Sequence, residues 1–325
     1  MADPQSLCDR YSSATYARMK ADEARTGAYA AAIQRSVSGR VCLDIGSGAL
    51  ALLAVMAAKA GAARVYAVEA NVEAFAAARR TVEAEGLTDR ITLIHGYSTS
   101  IGALPEPVDV LLHEIIGELA GSEGVVRVLL DARRHARPAA LSIPAAAASL
   151  LAPCEFPPHE YFAALPHPML SSPAATALKL PQLPLAAISL APPQRFEQLD
   201  FGEGGPEPSQ RRELRFVAAR RGVLRGACVH VELRLLDAEA TDADVSSARE
   251  GSHWPNVLLL LPEEHPVEEG EAIVVATHAE LAGEQPRYEF EFFVEEPSAT
   301  SGEVAAGADA SATRRRPLGK IYYPD

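Results

Sequence analysis

Apolar positions follow two different rhythms along this chain. Between Val41 and Leu112 short apolar runs alternate with longer stretches of helix formers. Val41-Cys42-Leu43-Asp44-Ile45 is an apolar run that stops at Gly46-Ser47-Gly48, as a strand entering a tight turn does. The stretch from Ala49 to Ala60 is strongly helical and is closed by Gly61. Arg64 to Glu69 reads as a second strand. Asn71 is placed to cap a helix that runs to Glu85, with Gly86 as its stop. Ile91 to Ile94 and Val108 to Leu112 give a third and a fourth strand, and Gly124 to Ala136 reads as helix. Upstream, residues 9–36 are rich in helix formers and poor in Pro and Gly, which predicts a further helix. Strands that alternate with helices predict a parallel sheet covered on both faces.

The rhythm changes near Pro144. Prolines crowd the stretch from Pro153 to Pro193, which excludes long helices there. Strand-like runs follow at Glu213 to Ala218, Ala227 to Leu236, Val257 to Leu261, Ala272 to Thr277 and Tyr288 to Val294. Glu232-Leu233-Arg234-Leu235 and Tyr288-Glu289-Phe290-Glu291-Phe292 alternate as half-buried strands do. Residues 297–313 are rich in Ser, Ala, Gly and Thr and read as a loop or tail. There is no internal repeat. The expected fold class is α/β: a Rossmann-like domain over 1–144 with an N-terminal helix, then an antiparallel, β-barrel-like domain over 145–325. The second domain includes a Pro-rich, arm-like segment at 153–210.

Composition narrows the function. The net charge of -13 over 325 residues argues against a nucleic-acid partner, whose phosphates would be repelled. It is compatible with a basic protein substrate. The longest apolar stretch, Ala49 to Ala58, is far too short to span a bilayer, so no membrane partner is expected. Met1-Ala2-Asp3-Pro4 lacks the basic and apolar regions of a signal peptide. Cys8, Cys42, Cys154 and Cys228 lie far apart, and no CxxC pair suggests metal or redox work. A reducing, cytoplasmic location is expected, or a nuclear one in a eukaryote, with no metal.

Asp44-x-Gly46-x-Gly48 sits at a strand-to-helix turn, where glycines let the backbone approach a ligand closely. Ala51 completes a loose dinucleotide pattern, a weak signal alone. Asp44 separates two readings. An acid two residues before the first glycine would repel a pyrophosphate, whereas S-adenosylmethionine carries no phosphate and has a cationic sulfonium. Glu69, at the end of the second strand, is placed to accept hydrogen bonds from ribose hydroxyls. The fourth strand runs into His113-Glu114-Ile115-Ile116-Gly117-Glu118-Leu119-Ala120-Gly121-Ser122-Glu123. In an open α/β sheet, ligands bind outside the carboxyl ends of the strands, so Glu114 is aimed at the site. Glu123 lies nine residues further, across a glycine-containing loop that can fold back beside it. Two carboxylates facing one pocket repel each other, and a guanidinium resolves that because its planar fork can bond both.

At these residues the chain resembles the protein arginine methyltransferase family. The acidic loop looks like that family's double-glutamate loop. Tyr16-x-x-Met19-x-x-Asp22-x-x-Arg25-Thr26-x-x-Tyr29 resembles its N-terminal cofactor-covering helix. Leu141-Ser142-Ile143-Pro144 resembles the crossing between its domains, Val223-Leu224-Arg225-Gly226 the start of a barrel strand, and Ser252-His253-Trp254 its Thr-His-Trp loop. The resemblance implies S-adenosylmethionine as cofactor, an Arg-Gly-rich or otherwise basic protein or peptide as substrate, and a homodimer. It implies that Arg25 pairs with the cofactor's carboxylate, that Tyr16 adds a hydrogen bond, and that Met19 lines the methyl-transfer channel. Asp44, Gly46, Gly48, Glu69, Ser98 and Thr99 would complete the cofactor site. Glu114 and Glu123 would grip the guanidinium, with one of them or His253 taking the released proton. Asp22 would pair with His253, and Trp254 would wall the arginine pocket.

The chain also departs from that pattern. Leu50 and Ala51 fill the region of the family's third glycine, His113 stands where serine is usual, Ile116 where one branch has methionine, and Thr99 where an adenine-contacting acid is usual. Product type is therefore undecided. Two alternatives stay open: a methyltransferase for a small molecule, and a catalytically silent relative that serves as a scaffold.

Overall fold

The computed structural model describes residues 22–165, 176–239, 242–296 and 314–324. The parallel half begins with α1 (Glu23–Ser36), β1 (Val41–Ile45), α2 (Leu52–Lys59), β2 (Arg64–Glu69), α3 (Val72–Ala84), β3 (Ile91–His95), β4 (Val108–His113), α4 (Val125–Ala132) and β5 (Ala136–Ile143). The sheet order is β3-β2-β1-β4-β5, with every pairing parallel. All five residues of β1 are buried, because helices cover both faces of the central strands. Local chemistry sets the helix ends. The Asn71 side chain accepts from the Glu73 and Ala74 N–H groups at 3.0 and 2.9 Å and starts α3. Gly61 and Gly86, both left-handed at φ 90° and 66°, end α2 and α3.

The strand order reverses between β1 and β4, which run side by side with Ile45 opposite His113. The glycine turn after β1 and the acidic loop after β4 therefore leave the sheet as neighbours. A ligand crevice is expected at that switch point.

The chain then crosses at a cis Ile143–Pro144 peptide into antiparallel structure. Its elements are β6 (Ala146–Cys154), α5 (His159–Ala163), β7 (Ala177–Leu180), α6 (Leu185–Ile188), β8 (Gln194–Asp200), β9 (Ser209–Val217), β10 (Gly222–Arg234), β11 (Val245–Ser246), β12 (Asn256–Val267), β13 (Ala272–Glu280), β14 (Arg287–Glu295) and β15 (Arg315–Tyr323). One sheet has the order β7-β12-β10-β6-β8, with β11 on β10, and the other β15-β14-β13-β9. The two meet where β12 packs on β15 and β8 on β9. Their inner faces bury Phe196, Phe216, Phe290 and Phe292. Gly226 interrupts the β10–β12 register, and a Cβ there would lie 1.8 Å from the Leu259 carbonyl oxygen. Only glycine fits.

Several elements differ from the sequence expectation. The described part of the first helix starts at Glu23, with Asp22 as its cap. The helix expected from Ala49 starts at Leu52, because Ala51 takes a left-handed conformation at φ 43°. The helix expected to reach Ala136 stops at Ala132 in a short 3-10 turn, Arg133–His135, and a fifth parallel strand follows. Strands β6, β7, β8, β11 and β15 are additional. Strand β6 is alanine-rich and buried on both faces, so it carries no alternation. In β15, Pro317 and Gly319 break the apolar pattern. Among its described residues the Pro-rich segment holds no helix longer than the short α5 and α6.

Candidate functional site

A cavity of about 750 Å³ opens at the switch point, within the range of roughly 300–1,000 Å³ usual for ligand clefts. Its floor is the carboxyl end of the parallel sheet and its far wall comes from the antiparallel part, through Lys179, Gly283, Glu284 and Tyr323.

The glycine turn forms one side. Gly46 and Gly48 are left-handed, at φ 72° and 65°. The Gly46 and Ser47 N–H groups both donate to the Val68 carbonyl at 3.0 Å. Glu69 ties the turn to β2: Oε2 accepts from Gly48 N–H at 2.7 Å and Oε1 from Asn71 N–H at 2.8 Å. Ala51, left-handed and buried, occupies the region of the missing third glycine, a conformation that costs an L-residue roughly 1–2 kcal/mol. Asp44 accepts from Ala54 N–H at 3.0 Å and is almost wholly buried while facing the cavity. Burial, reinforced by Glu69, pushes its carboxyl up to about 7 against the pull of the Ala54 bond. The Ser47 hydroxyl is buried in the cavity wall with no hydrogen-bond partner among the described residues. Ser98 and Thr99 line the same cavity.

The acidic loop forms the other side. It folds back sharply: a Cβ on Gly117 would lie 2.0 Å from Ser122 Oγ and 3.2 Å from Glu123 Cγ. Ser122 N–H donates to the Leu119 carbonyl at 2.9 Å and Gly124 N–H to that of Gly121 at 3.0 Å. Glu114 and Glu123 thereby line one cavity. Arg25 reaches in from α1 and donates to Glu114 Oε1 at 2.8 Å. Arg25 also lies 3.7 Å from Asp22 Oδ2 and stacks over the Trp254 ring at 5.3 Å. Burial raises the Glu114 carboxyl above its ordinary value, Arg25 opposes this, and Asp22 adds to it.

The sequence-derived residues thus converge only in part. Arg25, Asp44, Gly46, Gly48, Glu69, Ser98, Thr99, Glu114 and Glu123 line the cavity. Tyr16 and Met19 lie outside the described residues. His253 is exposed and does not line the cavity, and its backbone N–H, rather than its ring, donates to Asp22 Oδ2 at 3.4 Å. Trp254 is buried behind Arg25 instead of walling the cavity. His113 is a core residue: Nε2 meets Ser142 Oγ at 3.2 Å, its ring packs edge-on against Phe201, and burial lowers its pKa to about 3. It stays neutral and supplies its carbonyl to the Tyr29 hydroxyl at 3.3 Å.

Glu118, Lys179, Arg127, Glu284 and Tyr323 were not singled out from the sequence. Glu118 accepts from Lys179 Nζ at 2.8 Å and from the Tyr323 hydroxyl at 3.4 Å. Arg127 lies 3.4 Å from Glu284. Glu118 stands inside the acidic loop and could have been read. Lys179 and Tyr323 reach the site only through tertiary pairing. Among the described residues no group of His, Cys, Asp and Glu could hold a metal ion, and no helix is long and apolar enough to cross a membrane.

No family model matches the chain. A probable protein arginine N-methyltransferase 6 of Arabidopsis thaliana is 35% identical over 140 residues, which is 42% of this chain and 32% of that protein. An arginine N(omega)-methyltransferase of Streptomyces achromogenes subsp. streptozoticus is 38% identical over 131 residues, 39% of this chain and 36% of that protein. The chain therefore spans about a third of the length of the curated relatives it matches. Likeness in fold extends further. The crystal structure of protein arginine methyltransferase 10 of Arabidopsis thaliana, described as uniquely open, superposes with a TM-score of 0.76 at 21% identity, covering 98% of this chain and 99% of that one. A Trypanosoma brucei protein arginine methyltransferase, in an enzyme–prozyme heterotetrameric complex with AdoHcy, gives a TM-score of 0.68 at 20% identity over 93% and 96% of the two chains.

Proposed function

We propose that this chain, a relative of the protein arginine methyltransferases in sequence and in fold, methylates a guanidinium nitrogen of arginine in a basic or Arg-Gly-rich protein or peptide. One observation carries the reading. Among the described residues the cavity is lined by six acids, Asp44, Glu69, Glu114, Glu118, Glu123 and Glu284, against three basic side chains, Arg25, Arg127 and Lys179. A cleft with that excess selects cationic ligands.

The cavity suits S-adenosylmethionine on its own chemistry. The buried Ser47 hydroxyl, without a partner among the described residues, the Asp44 carboxyl and Glu69 all face the space beside the glycine turn. Bound there, S-adenosylmethionine supplies an electrophilic methyl on a sulfonium. Arg25 would hold its carboxylate and Glu69 its ribose hydroxyls. Free arginine stays protonated, because its guanidinium titrates far above neutral pH, so the chain must make one nitrogen nucleophilic without removing the charge first. Glu114 and Glu123 would do so by drawing the cationic charge toward the nitrogens they bond. Charge-assisted bonds of this kind contribute roughly 1.5–3 kcal/mol each. Glu114, raised by burial, is a stronger base than an exposed carboxylate and is placed to take the proton that leaves the product. The same reading carries a homodimer formed through the 153–210 arm, which sedimentation would detect.

The test is mass spectrometry of an Arg-Gly-rich peptide incubated with the protein and S-adenosylmethionine. A gain of one methyl mass per arginine is expected. Protein that is folded and binds AdoHcy yet never shifts the peptide mass would sink the substrate reading.

Asp44 makes cofactor binding depend on pH. An ionised Asp44 attracts a cationic ligand and a protonated one does not. With its carboxyl at about 7, that attraction is lost as pH falls through neutrality. We expect affinity for S-adenosylmethionine to weaken about tenfold between pH 7.5 and 5.5, and Asp44→Asn to flatten the dependence. Calorimetric titration at several pH values checks this. An equally steep profile in the Asn variant would assign the dependence to another group.

A further inference from the structure

The antiparallel part contributes a carboxylate that does not line the cavity. Glu197, on β8, is fully buried and accepts three hydrogen bonds: from the Ser149 hydroxyl, from the Tyr288 hydroxyl at 2.8 Å and from Gly121 N–H at 3.1 Å. Ser149 Oγ in turn accepts from Ala120 N–H at 2.8 Å. Ala120 and Gly121 belong to the acidic loop, so two of its buried backbone donors end on one cluster anchored in the antiparallel sheets. Left without acceptors, each such N–H would cost the full desolvation of an amide. The fit is tight: a Cβ on Gly121 would lie 2.6 Å from Glu197 Oε1 and 2.8 Å from the Tyr288 hydroxyl. Glycine at 121 lets the loop come down onto the carboxylate. Burial raises the Glu197 carboxyl above its ordinary value while its donors pull it back. A core that needed only packing would place an apolar side chain here, since a buried carboxylate is costly unless its donors require it.

We propose that Glu197 is a positioning residue for the acidic loop: it fixes Gly121, two residues before Glu123, and so sets where Glu123 stands relative to Glu114 in the cavity. The proposal rests on the reading that this loop receives a guanidinium. Glu197 does not line the cavity and acts through Gly121 and Ser149. Glutamine can take over most of the role, because its carbonyl accepts from Gly121 and Tyr288 while its amide donates to Ser149. Alanine cannot.

The test compares Glu197→Ala and Glu197→Gln in the whole chain by hydrogen exchange, AdoHcy titration and kinetics on an Arg-Gly-rich peptide. In Glu197→Ala the Ala120 and Gly121 amides should exchange at least about tenfold faster than in the parent. AdoHcy affinity should stay within about twofold, since the cofactor residues lie on other elements. KM should rise and kcat fall, lowering kcat/KM by about 10–100-fold, the scale of a misplacement near 1 Å. Glu197→Gln should return kcat/KM to within about threefold of the parent. In a Glu123→Gln background, Glu197→Ala should cost little more, because both act on one group. Should Glu197→Ala fail to fold, Gly121→Ala presses on the same contact from the loop side and should give the same signature. Parent-like loop exchange in the folded variant, or a kcat that falls only in step with the fraction binding AdoHcy at unchanged KM, would overturn the proposal. If the parent methylates no arginine substrate, the function reading fails on its own, and loop exchange still decides what Glu197 positions.

Discussion

Replacing Glu114 by glutamine is expected to lower kcat on an arginine peptide by about a thousandfold while AdoHcy affinity stays within a few fold of the parent. The substitution changes almost no volume and removes one charge. In the parent, Glu114 is largely buried at the end of β4 and faces the cavity. A desolvated carboxylate there stabilises a cation far more than it would in water. A glutamine amide presents donors where the guanidinium also has donors. Charge-assisted bonds are lost and one donor–donor contact is gained. Removing a single preorganised group of this kind from an enclosed site commonly costs about 10²–10³ in kcat, and loss of the proton acceptor adds to it. Cofactor binding should survive because Arg25 keeps Asp22 at 3.7 Å and the Trp254 ring at 5.3 Å. Stopped assays with mass detection, set beside AdoHcy calorimetry, separate the two effects. A variant that turns over within tenfold of the parent would show that Glu114 does not carry the guanidinium.

Much of the parallel half was legible because each element is signalled locally. Asn71, Gly61 and Gly86 act within one turn of chain, and the runs Val41 to Leu43 and Val65 to Val68 are unbroken by charge because helices cover both faces. The fifth strand was not legible. Its first half, Ala136 to Ala139, is largely exposed, carries Arg137 and Pro138, and has Ala139 left-handed at φ 57°. Strands β6 and β8 owe their burial to partners more than 30 residues away in the chain, such as β6 pairing with β10 from Ala146 opposite Arg234 to Cys154 opposite Gly226. No local pattern reports that. The site divides in the same way. Asp44, Gly46, Gly48, Glu69, Glu114 and Glu123 stand at strand ends or on the turns beyond them, where topology alone aims them. The Arg25–Glu114 pair spans 89 residues, and the Glu118–Tyr323 contact spans 205. His253 and Trp254 illustrate the limit from the other side. The motif placed them near Arg25, but which atoms would face the cavity depended on the path of their loop, and that path turns the His253 ring to solvent.

Arg25→Met is expected to weaken AdoHcy binding by about 10–100-fold and to destabilise the protein by about 3 kcal/mol at pH 8. Methionine keeps an unbranched apolar stem in place of the arginine stem and removes the charged head. The binding loss follows if Arg25 holds the cofactor's carboxylate, since one charge-assisted bond contributes roughly 1.5–3 kcal/mol. The stability loss follows from the pairs already present. Arg25 and Asp22 are nearly inaccessible and Glu114 is only 16% exposed. Breaking a buried pair by removing one partner commonly costs about 3–5 kcal/mol, and partial access for Glu114 sets the lower end here. The pH dependence has a definite sign. The Glu114 carboxyl is already raised above its ordinary value, and Arg25 is the cation that opposes the rise. Without Arg25 the folded carboxyl rises further. A raised carboxyl in the folded state leaves no penalty below its unfolded pKa, where both states are protonated, and the penalty grows as pH climbs toward the folded value. The gap between parent and variant should therefore be small near pH 4 and widest above neutrality. Urea unfolding at pH 5 and pH 8 measures it. A gap that is equal at both pH values would assign the loss to packing against Trp254, and an unchanged AdoHcy affinity would remove Arg25 from the cofactor site.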